Sequence, residues 1–89
     1  MLVHLNGSLI QHRQATVSVF DRGFLFGDGV YEGLRSSRGV VIGLDRHVAR
    51  MRQGLAEARI RGFDAASLGP LTEELLAANS LQDAFIYWQ

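Results

Sequence analysis

The chain has 89 residues, 47% of them hydrophobic and 20% charged, so it is expected to fold around one core, with no room for a second. Nine basic and nine acidic residues cancel, which argues against a surface that neutralises nucleic-acid phosphates, and the absence of cysteine excludes disulfides and thiolate chemistry. All nine basic residues are arginines, so no lysine amine can act as a nucleophile in this chain.

Leu2 to Leu5 and Ser8 to Gln11 flank Asn6-Gly7, a pair that readily adopts positive φ, and this predicts a two-residue hairpin. The amino terminus lacks the charged and long apolar regions of a signal peptide, and no apolar stretch approaches the roughly 20 residues of a membrane span. The expectation is a soluble, intracellular protein. Thr16 to Phe20 is β-branched and aromatic enough for a further short strand. Asp21 to Gly29 then places three glycines within seven residues, a loop that bends sharply or lets something approach its backbone.

Val30 to Ser36 and Val40 to Gly43 predict a second hairpin around Ser37-Arg38-Gly39. Asp45 is placed to cap a helix over about Asp45 to Arg59, with Val48, Met51, Leu55 and Ala58 as its apolar stripe and Gly54 costing it about 1 kcal/mol. Ser67 and Pro70 mark the start of a second helix, with Leu68, Leu71, Leu75 and Ala78 as its stripe and Asn79 as its end. Ala84 to Gln89 has strand composition and runs to the last residue without a turn signal, the pattern of a chain cut within an element. Strands, then helices, then a strand imply an α+β fold, a mainly antiparallel sheet with two helices packed on it.

Alternation along the strand puts Tyr31, Gly33 and Arg35 on one face and Val30, Glu32 and Leu34 on the other. The first face offers a phenol, a gap that would admit a flat ligand, and a guanidinium; it equally suits an ordinary solvent-exposed strand. Arg50 lies off the apolar stripe, roughly 100° from Met51 and 200° from Val48, a position for a solvated arginine or for a bidentate phosphate grip. His47, one turn before Met51, is expected to pack. His4, His12 and His47 lack metal-ligand spacing, Gly27-Asp28-Gly29 matches neither nucleotide-binding glycine pattern, and Asp28 and Glu32 are not expected to face each other as a glycosidase pair.

The run Asp21-Arg22-Gly23-Phe24-Leu25-Phe26-Gly27-Asp28-Gly29-Val30-Tyr31-Glu32-Gly33-Leu34-Arg35 closely resembles the amino-terminal signature of the class IV, fold-type IV pyridoxal-phosphate aminotransferases. That group includes D-amino-acid and branched-chain aminotransferases and aminodeoxychorismate lyase. The resemblance extends through the opening Asn-Gly hairpin, Leu44-Asp45-Arg46-His47-Val48-Ala49-Arg50-Met51, the second helix and Asp83-Ala84-Phe85-Ile86-Tyr87-Trp88-Gln89, so it covers essentially the whole chain.

The resemblance implies the fold of the small amino-terminal domain of these enzymes, residues 1–89, truncated at its carboxyl end. It implies transamination between an amino acid and a 2-oxo acid with pyridoxal 5′-phosphate as cofactor, in a cytoplasmic homodimer, with an aminodeoxychorismate lyase as the alternative enzyme. Arg50 matches the His-x-x-Arg arginine that binds the cofactor phosphate. Tyr31 matches an aromatic residue at the substrate pocket, with Gly33 and Arg35 beside it and Tyr87 as a second pocket position. Tyr87 is more similar to the D-amino-acid enzymes and Glu32-Gly33-Leu34-Arg35 to the branched-chain type. In the family the Schiff-base lysine, the acidic partner of the pyridine nitrogen and further phosphate-binding residues lie downstream, in a second domain. This chain taken alone is therefore expected to be a non-catalytic domain, with no catalytic residue of its own.

Overall fold

A computed structural model describes all 89 residues, Met1–Gln89. Five strands, β1 (Leu2–Leu5), β2 (Ser8–Gln11), β3 (Glu32–Ser37), β4 (Val40–Val41) and β5 (Ala84–Trp88), accompany three helices, α1 (Arg22–Phe26), α2 (Leu44–Glu57) and α3 (Leu68–Ala78). The α+β expectation holds, with one refinement: the strands form two antiparallel sheets. β1 and β2 make a hairpin of their own, and β3 is the centre of a three-stranded sheet in the order β4-β3-β5.

Turn chemistry sets both hairpins. Asn6 and Gly7 adopt φ of 51° and 88°, and Arg38 and Gly39 adopt 52° and 78°, so each turn has two successive left-handed residues, the twist that suits a two-residue connection. Asn79, the residue that ends α3, ties the first hairpin to the body of the molecule. Its side chain accepts from the Leu2 amide at 2.8 Å and donates to the Leu2 carbonyl at 2.9 Å and the Leu75 carbonyl at 3.0 Å.

Two elements depart from expectation. Thr16 to Phe20 is not a strand, and Val17, Val19 and Phe20 are exposed. Strand propensity needs a neighbouring strand to act, and here a turn intervenes, with the Phe20 amide donating to Ser18 Oγ and the Asp21 amide to the Ser18 carbonyl. The glycine-rich loop holds the short helix α1. Asp21 caps it by accepting from the Gly23 amide, and Gly27 closes it in the left-handed region.

The longer helices form where their stripes predicted, with shifted caps. Gly43, at φ 68°, occupies the position before α2, while Asp45 sits inside the first turn, where its charge favours the helix dipole. Ahead of α3, Asp64 rather than Ser67 takes the capping role: it accepts from the Ala66 amide and opens a 3-10 turn, Ala65–Ser67, that runs into the helix. The core comprises Leu34, Met51, Leu55, Ala65, Leu68, Leu76, Ile86 and Trp88. Ala58 is exposed, and the buried line of α3 runs through Leu68, Thr72 and Leu76, with Leu71 and Leu75 half-buried. Thr72 is drawn inward because its hydroxyl accepts the Trp88 indole N–H at 2.9 Å and donates to the Leu68 carbonyl at 2.6 Å. Gly54 has a packing reason: a Cβ there would lie 3.1 Å from Val30 Cγ1. No helix is long and apolar enough to cross a membrane.

Candidate functional site

Alternation along β3 separates two groups of residues. Glu32, Leu34 and Ser36 are buried beneath the sheet, and Gly33, Arg35 and Ser37 face outward. Tyr31, just before the strand, is 69% exposed and joins the outward set. The β3–β5 register pairs Gly33 with Tyr87 and Arg35 with Phe85, which brings β5's two outward aromatics onto the same face. The Tyr31 and Tyr87 rings stack with centroids 5.8 Å apart and planes 26° off parallel. The Tyr87 hydroxyl donates to Gln89 Oε1 at 2.9 Å, and Arg35 forms no ion pair. Tyr31, Gly33, Arg35 and Tyr87 thus share one open sheet face.

The space over Gly33 is not empty. A Cβ at this position would stand 3.1 Å from Cζ and 3.3 Å from Cε2 of Phe85, so that ring takes the place expected for a flat ligand. Phe85 itself is 74% exposed, hence its ring is held by little else.

Arg50 belongs to the other face. It projects from α2 toward the start of β3, where its Nε lies 3.2 Å from Glu32 Oε1 in an ion pair, while 72% of its side chain remains exposed. Glu32 is only 7% exposed, and its second oxygen, Oε2, accepts from His47 Nδ1 at 2.6 Å. An ionised carboxylate has no proton to give, so the hydrogen is assigned to Nδ1. His47 and Arg50 stand three apart on α2 and so share a helix face. His47 is therefore a hydrogen-bonding residue and not simply packing, and its ring lies 3.6 Å from where a Cβ on Gly43 would be.

The structure thus does not gather the five sequence-predicted residues into one pocket. A cleft of about 270 Å³ lies elsewhere, between the glycine-rich loop and the end of β5; it is lined by Asp21, Gly23, Asp28, Gly29, Trp88 and Gln89 among others, and by none of the five. Asp28 pairs with Arg22 at 3.2 Å and stands apart from Glu32 in its interactions. No histidine and acid cluster is suited to a metal ion.

Sequence reasoning missed Glu32, His47 and Phe85. A signal for the first two exists: a glutamate on the same strand face as Val30 and Leu34 is a buried acid if that face is buried, and a buried acid demands partners. The i, i+3 spacing of His47 and Arg50 supplies two candidates from one helix.

No protein-family model matches the chain. It is similar to a D-alanine aminotransferase of Bacillus licheniformis, 39% identical over 90 residues that take in 100% of this chain and 32% of the relative. A putative branched-chain-amino-acid aminotransferase of Methanocaldococcus jannaschii is 38% identical over 87 residues, covering 97% of this chain and 30% of the relative. An aminodeoxychorismate lyase of Bacillus subtilis is 30% identical over 83 residues, covering 92% and 28%. The chain spans about a third of the length of the curated relatives it matches.

Proposed function

Because this chain is related along its whole length to class IV, fold-type IV pyridoxal-phosphate enzymes, we propose that it forms the phosphate-gripping and substrate-facing part of an aminotransferase. The reaction is amino transfer between an amino acid, D-configured or branched-chain, and a 2-oxo acid. The bound cofactor, pyridoxal 5′-phosphate, supplies the electron sink. The observation that carries the reading is the guanidinium of Arg50, ion-paired with Glu32 on its Nε side and otherwise open to solvent. Its remaining N–H groups fit a phosphate monoester, the ligand a planar arginine fork holds bidentately.

The outward sheet face is assigned to the substrate. Arg35, a cation with no carboxylate of its own, attracts a substrate carboxylate, and the stacked Tyr31 and Tyr87 form an apolar wall beside it. Gly33 keeps the strand surface low, and Phe85 moves off it when substrate arrives. With no lysine, the chain has no side-chain amine to condense with the cofactor aldehyde, and the role assigned to it is binding and orientation. Val19, Phe20, Phe24 and Phe26 expose 62%, 80%, 69% and 73% of their surface, which supports a reading in which the chain works against another surface, as a homodimer would provide.

The test is cofactor retention by the protein encoded by the whole reading frame. Arg50→Ala should weaken binding of pyridoxal phosphate by about tenfold or more, measured by equilibrium dialysis. Retention equal to the parent protein sinks the assignment. The similarity to an aminodeoxychorismate lyase favours a second reading, release of pyruvate from aminodeoxychorismate. Formation of 4-aminobenzoate without any 2-oxo-acid-dependent amino transfer would put that reading first.

A further inference from the structure

Of the nine arginines, two form ion pairs, and they differ in kind. Arg22 and Asp28 are both well exposed, at 79% and 50%, the setting of a weak, mobile surface pair. Arg50 pairs with a carboxylate that is 7% exposed, on the buried strand face it shares with Leu34 and Ser36. An apolar residue of similar size there would serve stability equally well or better, because desolvating a carboxylate is costly. Glu32 is therefore better explained by what it does to its partners.

We propose that Glu32 and His47 are positioning residues for an anion site at Arg50, fixing the guanidinium through Nε so that its Nη edge faces a phosphate monoester. This rests on, and deepens, the assignment of Arg50 to the cofactor phosphate.

Each carboxylate oxygen has its own partner, His47 on Oε2 and Arg50 on Oε1, so Glu32 cannot rotate without breaking both contacts. The backbone of Glu32 is held by register with the buried Trp88, and the His47 ring lies over Gly43. A chain of constraints thus runs from the sheet, through the carboxylate, to the Nε of an otherwise solvated side chain. With the carboxylate on the Nε side, the edge turned away from it and left for a ligand is the Nη1–Nη2 pair, which suits two phosphate oxygens. Without the tether a long side chain samples many rotamers, and most aim that edge elsewhere.

Glu32 also carries a negative charge close to the site, which by itself repels an anion. Two substitutions separate orientation from charge. Glu32→Gln removes the charge and keeps an oxygen beside Arg50 Nε, with an amide to donate to His47. Glu32→Met removes the charge and the acceptor while filling similar space.

The 89-residue chain, labelled with nitrogen-15, is titrated with inorganic phosphate and with pyridoxine 5′-phosphate, an alcohol that cannot condense with amines, while the Arg50 Nε–H signal is followed by NMR. In the parent chain that signal should be ordered and slow to exchange relative to those of Arg46 and Arg52, and should shift saturably with both ligands. Glu32→Gln should keep the order and bind at least as tightly. Glu32→Met should lose the order and bind about tenfold more weakly than Glu32→Gln. If Arg50 Nε–H exchanges as fast as Arg46, or if the Gln and Met variants bind alike, the positioning role is overturned. An ordered Arg50 with no saturable shift overturns the phosphate reading beneath it and leaves a purely structural tether. Backbone spectra establish folding of the variants, and should Glu32→Met not fold, the parent exchange rates together with His47→Gln, expected to preserve binding better than His47→Ala, still decide.

Discussion

The Trp88 indole donates to the Thr72 hydroxyl at 2.9 Å inside the core, and that hydroxyl in turn donates to the Leu68 carbonyl at 2.6 Å. Trp88 and Thr72 are 5% and 3% exposed, so no water can substitute. Thr72→Val keeps the shape and orphans the indole N–H. The expected loss is about 1–3 kcal/mol in urea denaturation, the cost of an unsatisfied buried donor. An unchanged midpoint and slope would show that this link contributes nothing.

Gly54 presents two opposed effects. Alanine improves helix propensity by about 1 kcal/mol, yet its Cβ would stand 3.1 Å from Cγ1 and 3.5 Å from Cβ of Val30. Val30 is β-branched and packs against the core, so it cannot swing away as a long side chain would. Overpacking of this kind costs about 1–3 kcal/mol, and Gly54→Ala should therefore destabilise by about 1 kcal/mol on balance. Stabilisation of the variant would mean that α2 can slide outward at little cost.

Asn79 joins the start of the chain to the end of α3, since its amide satisfies both backbone groups of Leu2, 77 residues away, and a carbonyl of its own helix. Asn79→Ala should cost about 1.5–4.5 kcal/mol, each of the three lost bonds contributing about 0.5–1.5 kcal/mol. Amide exchange should localise the damage: β1 and β2 should lose protection well before β3 and β5 do. Uniform loss across both sheets would contradict a local tether.

Much of this architecture is legible in local sequence. Asn6-Gly7 and Arg38-Gly39 encode their turns through backbone conformation, and Met51 and Leu55 reveal the buried side of α2 through spacing. Errors arise where a partner decides. Thr16 to Phe20 has strand composition but no strand beside it, and Ser67 has a capping side chain while Asp64, a turn earlier, reaches the free amide. Thr72 would be assigned outward by polarity until Trp88 is placed next to it.

The candidate site divides along the same line. Sequence by itself determined that Tyr31, Gly33 and Arg35 share a face, because a strand's period is two and needs no partner to set it. It also determined that no lysine is present, and the resemblance singled out Arg50 and Tyr87. Tertiary structure alone decided that Tyr87 stacks on Tyr31, that Phe85 covers Gly33, and that Glu32 meets His47 and Arg50. The reason is physical: a side chain's orientation and its desolvation depend on groups that the fold brings from far along the chain, 56 residues in the case of Tyr31 and Tyr87, and no local pattern carries that distance.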